Sequence, residues 1–281
     1  MRAFFLPVIF VLAIGAGTGA REKDSVPVKA AVKNTAAVKN TAAVAASVWN
    51  EAAMGTIDPH IFGLALRAAQ CVVRSGAISD PSTLTVIDYS KPSTEKRLWV
   101  FDLRAHELLY EELVAHGQGS GDNYAKVFSN EPETHASSLG LFLTEDTYVG
   151  KNGYSLRLKG LDEGFNHHAD ERAIVMHGAP YVSDEFVKKN GRLGRSWGCP
   201  ALREGVAREV IDRVRGNGIV FSYYPDQDWL DSSKYLGDCG GPGTTDPGRT
   251  TDQGRTKTKD QARTTDQGRT KDEAPRTKDL F

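Results

Sequence analysis

From Thr83 to Tyr224 the chain repeats one pattern: short runs rich in aliphatic, β-branched and aromatic residues, broken by Gly, Ser, Asn or Pro. The runs are Thr83–Tyr89, Arg97–Leu103, His106–Ala115, Leu139–Leu143, Tyr154–Lys159, Ala173–His177 and Ile219–Tyr224. Runs this short, punctuated by turn formers, predict strands of an antiparallel or mixed sheet. Regular alternation of strand and helix would look different. Two helices frame the strands. Asp58 caps the first and Pro59 opens it; Ile61, Leu64, Ala65, Ala68, Cys71 and Val72 then recur at helical spacing until Gly76. In Glu204–Arg215, Val206, Val210, Ile211 and Val214 share a side, and Gly216 stops the helix. The expected fold class is mainly β (α+β), a β-sandwich of mixed sheets with peripheral helices.

Four regions divide the 281 residues. Residues 1–20 read as a signal peptide: basic Arg2, an apolar core from Phe4 to Ile14, and small residues Thr18-Gly19-Ala20. The unbroken apolar run is shorter than the ~20 residues that span a bilayer. Membrane contact is therefore expected only before cleavage, and the expected location is the periplasm or cell wall. Residues 21–47 form a low-complexity linker, with Ala-Ala-Val-Lys-Asn-Thr at 30–35 repeated at 36–41. Residues 48–237 are long enough for one domain with a sizeable core. Residues 238–281 read as a disordered, repetitive tail, with Asp-Gln-Gly-Arg-Thr at 252–256 and 266–270. A formal net charge of −1 gives no basic field for nucleic acid.

The chemistry concentrates in two segments. Arg172-Ala-Ile-Val-Met-His177-Gly178-Ala179 ends an apolar run on a histidine; Gly194-Arg195-Ser196-Trp197-Gly198-Cys199-Pro200-Ala201 sets a cysteine in a glycine turn. The two residues stand 22 positions apart, too far for helix neighbours but suited to two ends meeting across a sheet. A thiol attacks as thiolate, and an imidazole can lower its pKa and shuttle its proton. Gly198 lets backbone N–H groups turn toward a developing oxyanion. The pair predicts cysteine acyl transfer. Export leaves an odd cysteine among Cys71, Cys199 and Cys239. Either Cys71 and Cys239 bridge and leave Cys199 free, or all three are unpaired. No cofactor is expected. His167, His168, Asp170 and His177 lack the His-Glu-x-x-His or Cys-x-x-Cys spacing of a zinc site, so no metal is expected. His116, in Val114-Ala-His-Gly-Gln-Gly-Ser-Gly121, follows an apolar run and is expected near the cleft.

These residues resemble the L,D-transpeptidase catalytic domain family, peptidoglycan-remodelling enzymes of YkuD-like β-fold. The family signature is His followed by Gly or Ser, a variable loop, then Ser/Thr-His-Gly-Cys. His177-Gly178 and Ser196-Trp197-Gly198-Cys199 stand in those places. Ser138-Leu139-Gly140-Leu141-Phe142 is similar to the family's Thr-Pro-x-Gly-x-Phe element, and the likeness spans most of residues 60–225. Trp197 replaces the usual histidine, Pro200-Ala201 replaces an apolar-Arg or apolar-Asn pair, and the loop from His177 to Ser196 is longer than usual. The resemblance implies peptidoglycan stem peptides as partners, with Cys199 attacking the L-centre carbonyl of the third residue and expelling D-Ala. It implies His177 as base and the Gly178 carbonyl as its orienting acceptor. Backbone N–H groups of Cys199, Gly198 and Trp197 would hold the oxyanion, and Ser196, Arg195 and Tyr181 would contact the donor. Three functions stay open: L,D-transpeptidation, L,D-carboxypeptidase or endopeptidase hydrolysis on the same site, and a non-catalytic wall-binding module. The acceptor (a second stem, a protein lysine or water) stays open too.

Overall fold

A computed structural model describes residues 49–237 and Cys239. The expected signal peptide, the linker and, apart from Cys239, the tail lie outside the described residues. Helix α1, Glu51–Met54, leads into α2, Pro59–Arg74. The Asp58 side chain accepts from the N–H groups of His60 at 2.7 Å and Ile61 at 3.4 Å, satisfying donors the first turn leaves over. Past the helix end, Gly76 takes a φ of +77°.

Nine strands follow among the described residues: β1 Thr83–Asp88, β2 Leu98–Asp102, β3 Glu107–Glu112, β4 Val114–Ala115, β5 Gly140–Gly150, β6 Gly153–Gly160, β7 Val175–Ala179, β8 Ala201–Arg203 and β9 Gly218–Tyr223. They form one mixed sheet in the order β3-β2-β1-β9-β5-β6-β7-β8-β4. Parallel pairing occurs between β1 and β9 and between β7 and β8. Helices α3 (Asp184–Asn190), α4 (Glu204–Val214) and α5 (Gln227–Ser232) lie between or after the later strands. The expected mainly β fold with peripheral helices is what the chain adopts.

The sequence reads 106–115 as one strand, whereas the structure divides it at Leu113. Only that residue separates β3 from β4, yet the two occupy opposite ends of the strand order. Eight inter-strand steps across a flat sheet would need ~38 Å at the usual spacing. The sheet must therefore curl until its edges approach. A two-pronged ion pair fastens the closure: Arg203 at the end of β8 donates to Glu112 at the end of β3, at 2.8 and 2.6 Å.

Strand alternation gives the sheet two apolar faces. Leu84, Val86, Trp99, Phe101, Leu141, Ile219 and Phe221 pack with Phe62, Ala65 and Val72 of α2. Ile87, Val100, Phe142 and Val220 pack with Val210, Ile211 and Val214 of α4. Cys71 of α2 is bonded to Cys239 with a Cα–Cα distance of 5.2 Å, and Cys199 is free. Of the two readings of the three cysteines, the bridged one holds. No helix among the described residues is long and apolar enough to cross a membrane.

Candidate active site

Parallel pairing of β7 with β8 brings the two chemical segments together. His177 lies in β7 with Ala201 as its register partner, so Cys199, two residues before Ala201, comes beside Val175. The Val175 N–H meets the Cys199 sulfur at 3.5 Å, and the thiol reaches the Ala173 carbonyl at 3.7 Å. His177 and Cys199 make no direct hydrogen bond in this state. Both line one cleft of about 280 Å³, together with Tyr181, Arg195, Ser196, Trp197, Lys151 and Asn152.

His177 is oriented by its neighbour. Its Nδ1 lies 2.9 Å from the Gly178 carbonyl oxygen, which can only accept, so Nδ1 carries the proton and Nε2 is left as the basic nitrogen. Burial pushes the imidazole below its ordinary pKa, with the Gly178 bond opposing, so the ring is neutral near pH 7. Burial pushes the Cys199 thiol up; the Val175 N–H and the Arg172 guanidinium pull it back. The resting pair is thiol and neutral imidazole, not thiolate and imidazolium. Tyr181 is pushed up to about 12, by burial first and the nearby cysteine second, and stays protonated.

The loop before β8 is braced from within. Gly198 has a φ of +115°, and a side chain there would meet the Ala136 carbonyl oxygen and the Ile174 side chain, both at 2.9 Å. Its N–H donates to Ser196 Oγ at 3.1 Å, and Ser196 Oγ donates to the Cys199 carbonyl at 2.6 Å. The family resemblance implied Gly198 N–H as an oxyanion donor and Ser196 as a contact to the donor peptide; here Ser196 Oγ accepts from Gly198 N–H and gives its own proton to the Cys199 carbonyl. Arg195, expected to contact the donor, bonds the Gly121 carbonyl at 3.0 Å and Asp122 at 2.9 Å, so its charge is already paired. Trp197 stands out at 67% exposure and stacks on His135 with centroids 4.7 Å apart.

Three site residues escaped sequence reasoning. Lys151 and Asn152 form the tip of the β5–β6 hairpin, and Lys151 Nζ sits 6.0 Å from the Trp197 ring without an ion pair among the described residues. Gly150-Lys-Asn-Gly153 has the composition of a tight turn, but nothing in it places the hairpin over the cleft. Arg172 bonds the Ala136 carbonyl and Ser138 Oγ, both at 2.6 Å, and is the cation acting on Cys199. No three His, Cys, Asp or Glu side chains among the described residues are placed to hold a metal. His167 and His168 face Glu163 and Glu171 instead.

Residues 53–223 match the profile of the L,D-transpeptidase catalytic domain family. Comparison with curated proteins gave no match. Among solved structures, an L,D-transpeptidase from Mycobacterium smegmatis is similar at 15% identity and a TM-score of 0.32, over 51% of this chain and 59% of that one. One from Stackebrandtia nassauensis shares 14% identity at a TM-score of 0.32, over 58% and 68%. L,D-transpeptidase 3 from Mycobacterium tuberculosis shares 13% at 0.33, over 51% and 62%. The chain thus spans less than two thirds of the Mycobacterium smegmatis protein. With the family profile covering more than half of its residues, this chain belongs to the L,D-transpeptidase catalytic domain family.

Proposed function

We propose that the protein is an exported cysteine acyltransferase that remodels peptidoglycan stem peptides through a thioester on Cys199. The observation that carries this reading is the shared cleft: a free cysteine and a histidine whose Nδ1 is tied to Gly178 open onto one cavity. In the first step Sγ bonds the carbonyl carbon of the third stem residue while its proton passes to His177 Nε2. The C–N bond to D-Ala breaks, and His177 protonates the departing amine. In the second step an acceptor amine loses its proton to His177, bonds the same carbon, and Cys199 leaves as thiol. With Gly198 N–H engaged by Ser196, the N–H groups of Cys199 and Trp197 are the donors assigned to the oxyanion. Lys151, a cation with no ion pair among the described residues, is assigned to a stem carboxylate.

Export is supported by the leader-like residues 1–20 and by the Cys71–Cys239 bridge, since such bonds persist in oxidising compartments such as the periplasm. Incubation with purified tetrapeptide-bearing muropeptides, followed by mass analysis, tests the assignment. Cross-linked dimers mark transpeptidation and trimmed monomers mark hydrolysis. Unaltered muropeptides would refute both.

A further inference from the structure

Behind the nucleophile loop lies a buried cation that the chemistry above does not use. Arg97 is fully buried, and among the described residues no carboxylate is within ion-pairing distance of it. Its guanidinium instead donates to the Val114 carbonyl at 3.1 and 2.8 Å, the Lys91 carbonyl at 2.8 Å and His116 Nδ1 at 2.8 Å, and lies over the Tyr89 ring. A guanidinium can only donate, so His116 Nδ1 accepts and its proton sits on Nε2, 3.3 Å from the Gly121 carbonyl. Burial and Arg97 push His116 down to about 4, keeping that tautomer neutral.

His116 is fully buried too, and its backbone reaches the site directly. Its carbonyl accepts from Ser196 N–H at 3.0 Å, and the Ser196 carbonyl accepts from Gln118 N–H at 2.8 Å. Between them, Gly117 backs onto Gly198 so closely that a Cβ would come within 2.7 Å of the Gly198 Cα. Ser137 ties the two glycines: Gly117 N–H donates to its Oγ, which donates to the Gly198 carbonyl, both at 3.0 Å. A buried charge without a counter-ion is costly, and an apolar side chain could fill the same volume. What an apolar residue could not do is grip two carbonyls and a ring nitrogen in fixed directions.

We infer that Arg97 and His116 are positioning residues: together they clamp the Gly117 segment beneath Gly198 and so set the Trp197–Cys199 backbone for the oxyanion formed when Cys199 is acylated. The inference rests on Cys199 being an acyl-forming nucleophile, and neither residue lines the cleft.

Two small reagents separate positioning from general support. Acetylation by p-nitrophenyl acetate forms an Sγ–acyl bond and expels p-nitrophenolate through a tetrahedral oxyanion; alkylation by iodoacetamide displaces iodide with no oxyanion. His116→Gln loses the Nδ1 acceptor while keeping a polar side chain, and His116→Asn keeps an acceptor near that position. Relative to wild type, His116→Gln and Arg97→Met should lower the acetylation rate by about 10²-fold, comparable to losing one oxyanion donor. Alkylation should change by less than about threefold, and His116→Asn should recover most of the acetylation. If Arg97→Met does not fold, the His116 pair decides alone. A ratio of the two rates unchanged in His116→Gln overturns the inference while leaving the nucleophile intact. A wild type that takes iodoacetamide but no acetyl group sinks the nucleophile reading and this inference with it.

Discussion

The backbone N–H of Val175 approaches the sulfur of Cys199 to 3.5 Å, from the strand that two residues later carries His177. Parallel pairing of β7 with β8 thus brings together the thiol in the loop before β8, a backbone donor against its sulfur, and the histidine proposed as base. Because burial still outweighs these groups, the sulfur rests as a thiol and ionises only when a proton leaves.

Arg172 should govern the alkaline limb of Cys199 reactivity. Burial raises the thiol pKa and the Arg172 guanidinium offsets only part of that rise, so the iodoacetamide rate of the native protein should still be climbing above the ordinary thiol range. Arg172→Met should move that profile to higher pH, and Arg172→Lys should move it part of the way back. Stopped-flow alkylation between pH 6 and 10 reads this. Superimposable profiles for native protein and Arg172→Met would remove Arg172 from the site's electrostatics.

His116 should make the fold acid-sensitive. An unfolded histidine takes its proton near 6.5, while the folded one, faced by Arg97, Arg195 and the Tyr89 ring, refuses it until about 4. Above 6.5 both states are neutral and this group costs nothing. As pH falls from 6.5 toward 4 the unfolded chain binds the proton first, so stability declines by up to about 3 kcal/mol. Urea titrations at pH 7 and pH 4.5 on the native protein and His116→Asn should show the decline shrinking in the variant. Equal declines would assign the acid sensitivity elsewhere.

Trp197 should act on binding. It is held flat against His135 beside the cysteine, a rigid exposed surface in a loop whose neighbours Ser196 and Cys199 are buried. Trp197→Ala should raise KM for stem peptides about 5- to 30-fold, the loss of one packed aromatic contact, with kcat within about threefold. A fall in kcat with KM unchanged would mean that the ring orders the oxyanion donors instead.

The Cys71–Cys239 bond closes a separation of 168 residues and anchors the chain after α5 to α2. Such bonds typically contribute about 2–4 kcal/mol, so Cys71→Ala/Cys239→Ala should lower Tm by on the order of 10 °C in calorimetry. The acetylation rate of Cys199 at 25 °C should not change. An unchanged Tm would show that the unbridged chain holds the same structure equally well.

Features governed by local chemistry were legible in the sequence. Asp58 and Pro59 announced α2, the apolar runs announced most strands, and His177 with Cys199 announced the cleft. Features set by distant partners were not. Leu113 carries no signal that the chain there passes from one sheet edge to the other, since that follows from the curl of the whole sheet. Helix α3 is short and has no buried residue, so no apolar stripe marked it. Lys151 is not singled out by the sequence, and Arg172 figures only as the first residue of the His177 segment, because their positions depend on a hairpin and a loop folding back over the site. Arg195 and Ser196 sit where the motif placed them, yet their hydrogen bonds go to the protein itself.

The proposed chemistry turns on a stem-derived thioester at Cys199, which intact-protein mass spectrometry of the full chain mixed with a tetrapeptide-stem muropeptide would detect. The expected spectrum shows a transient adduct equal to the donor minus D-Ala, mapped to the peptide containing Cys199 and lost in Cys199→Ala together with all products. Products that persist in Cys199→Ala, or an adduct on another residue, would contradict it.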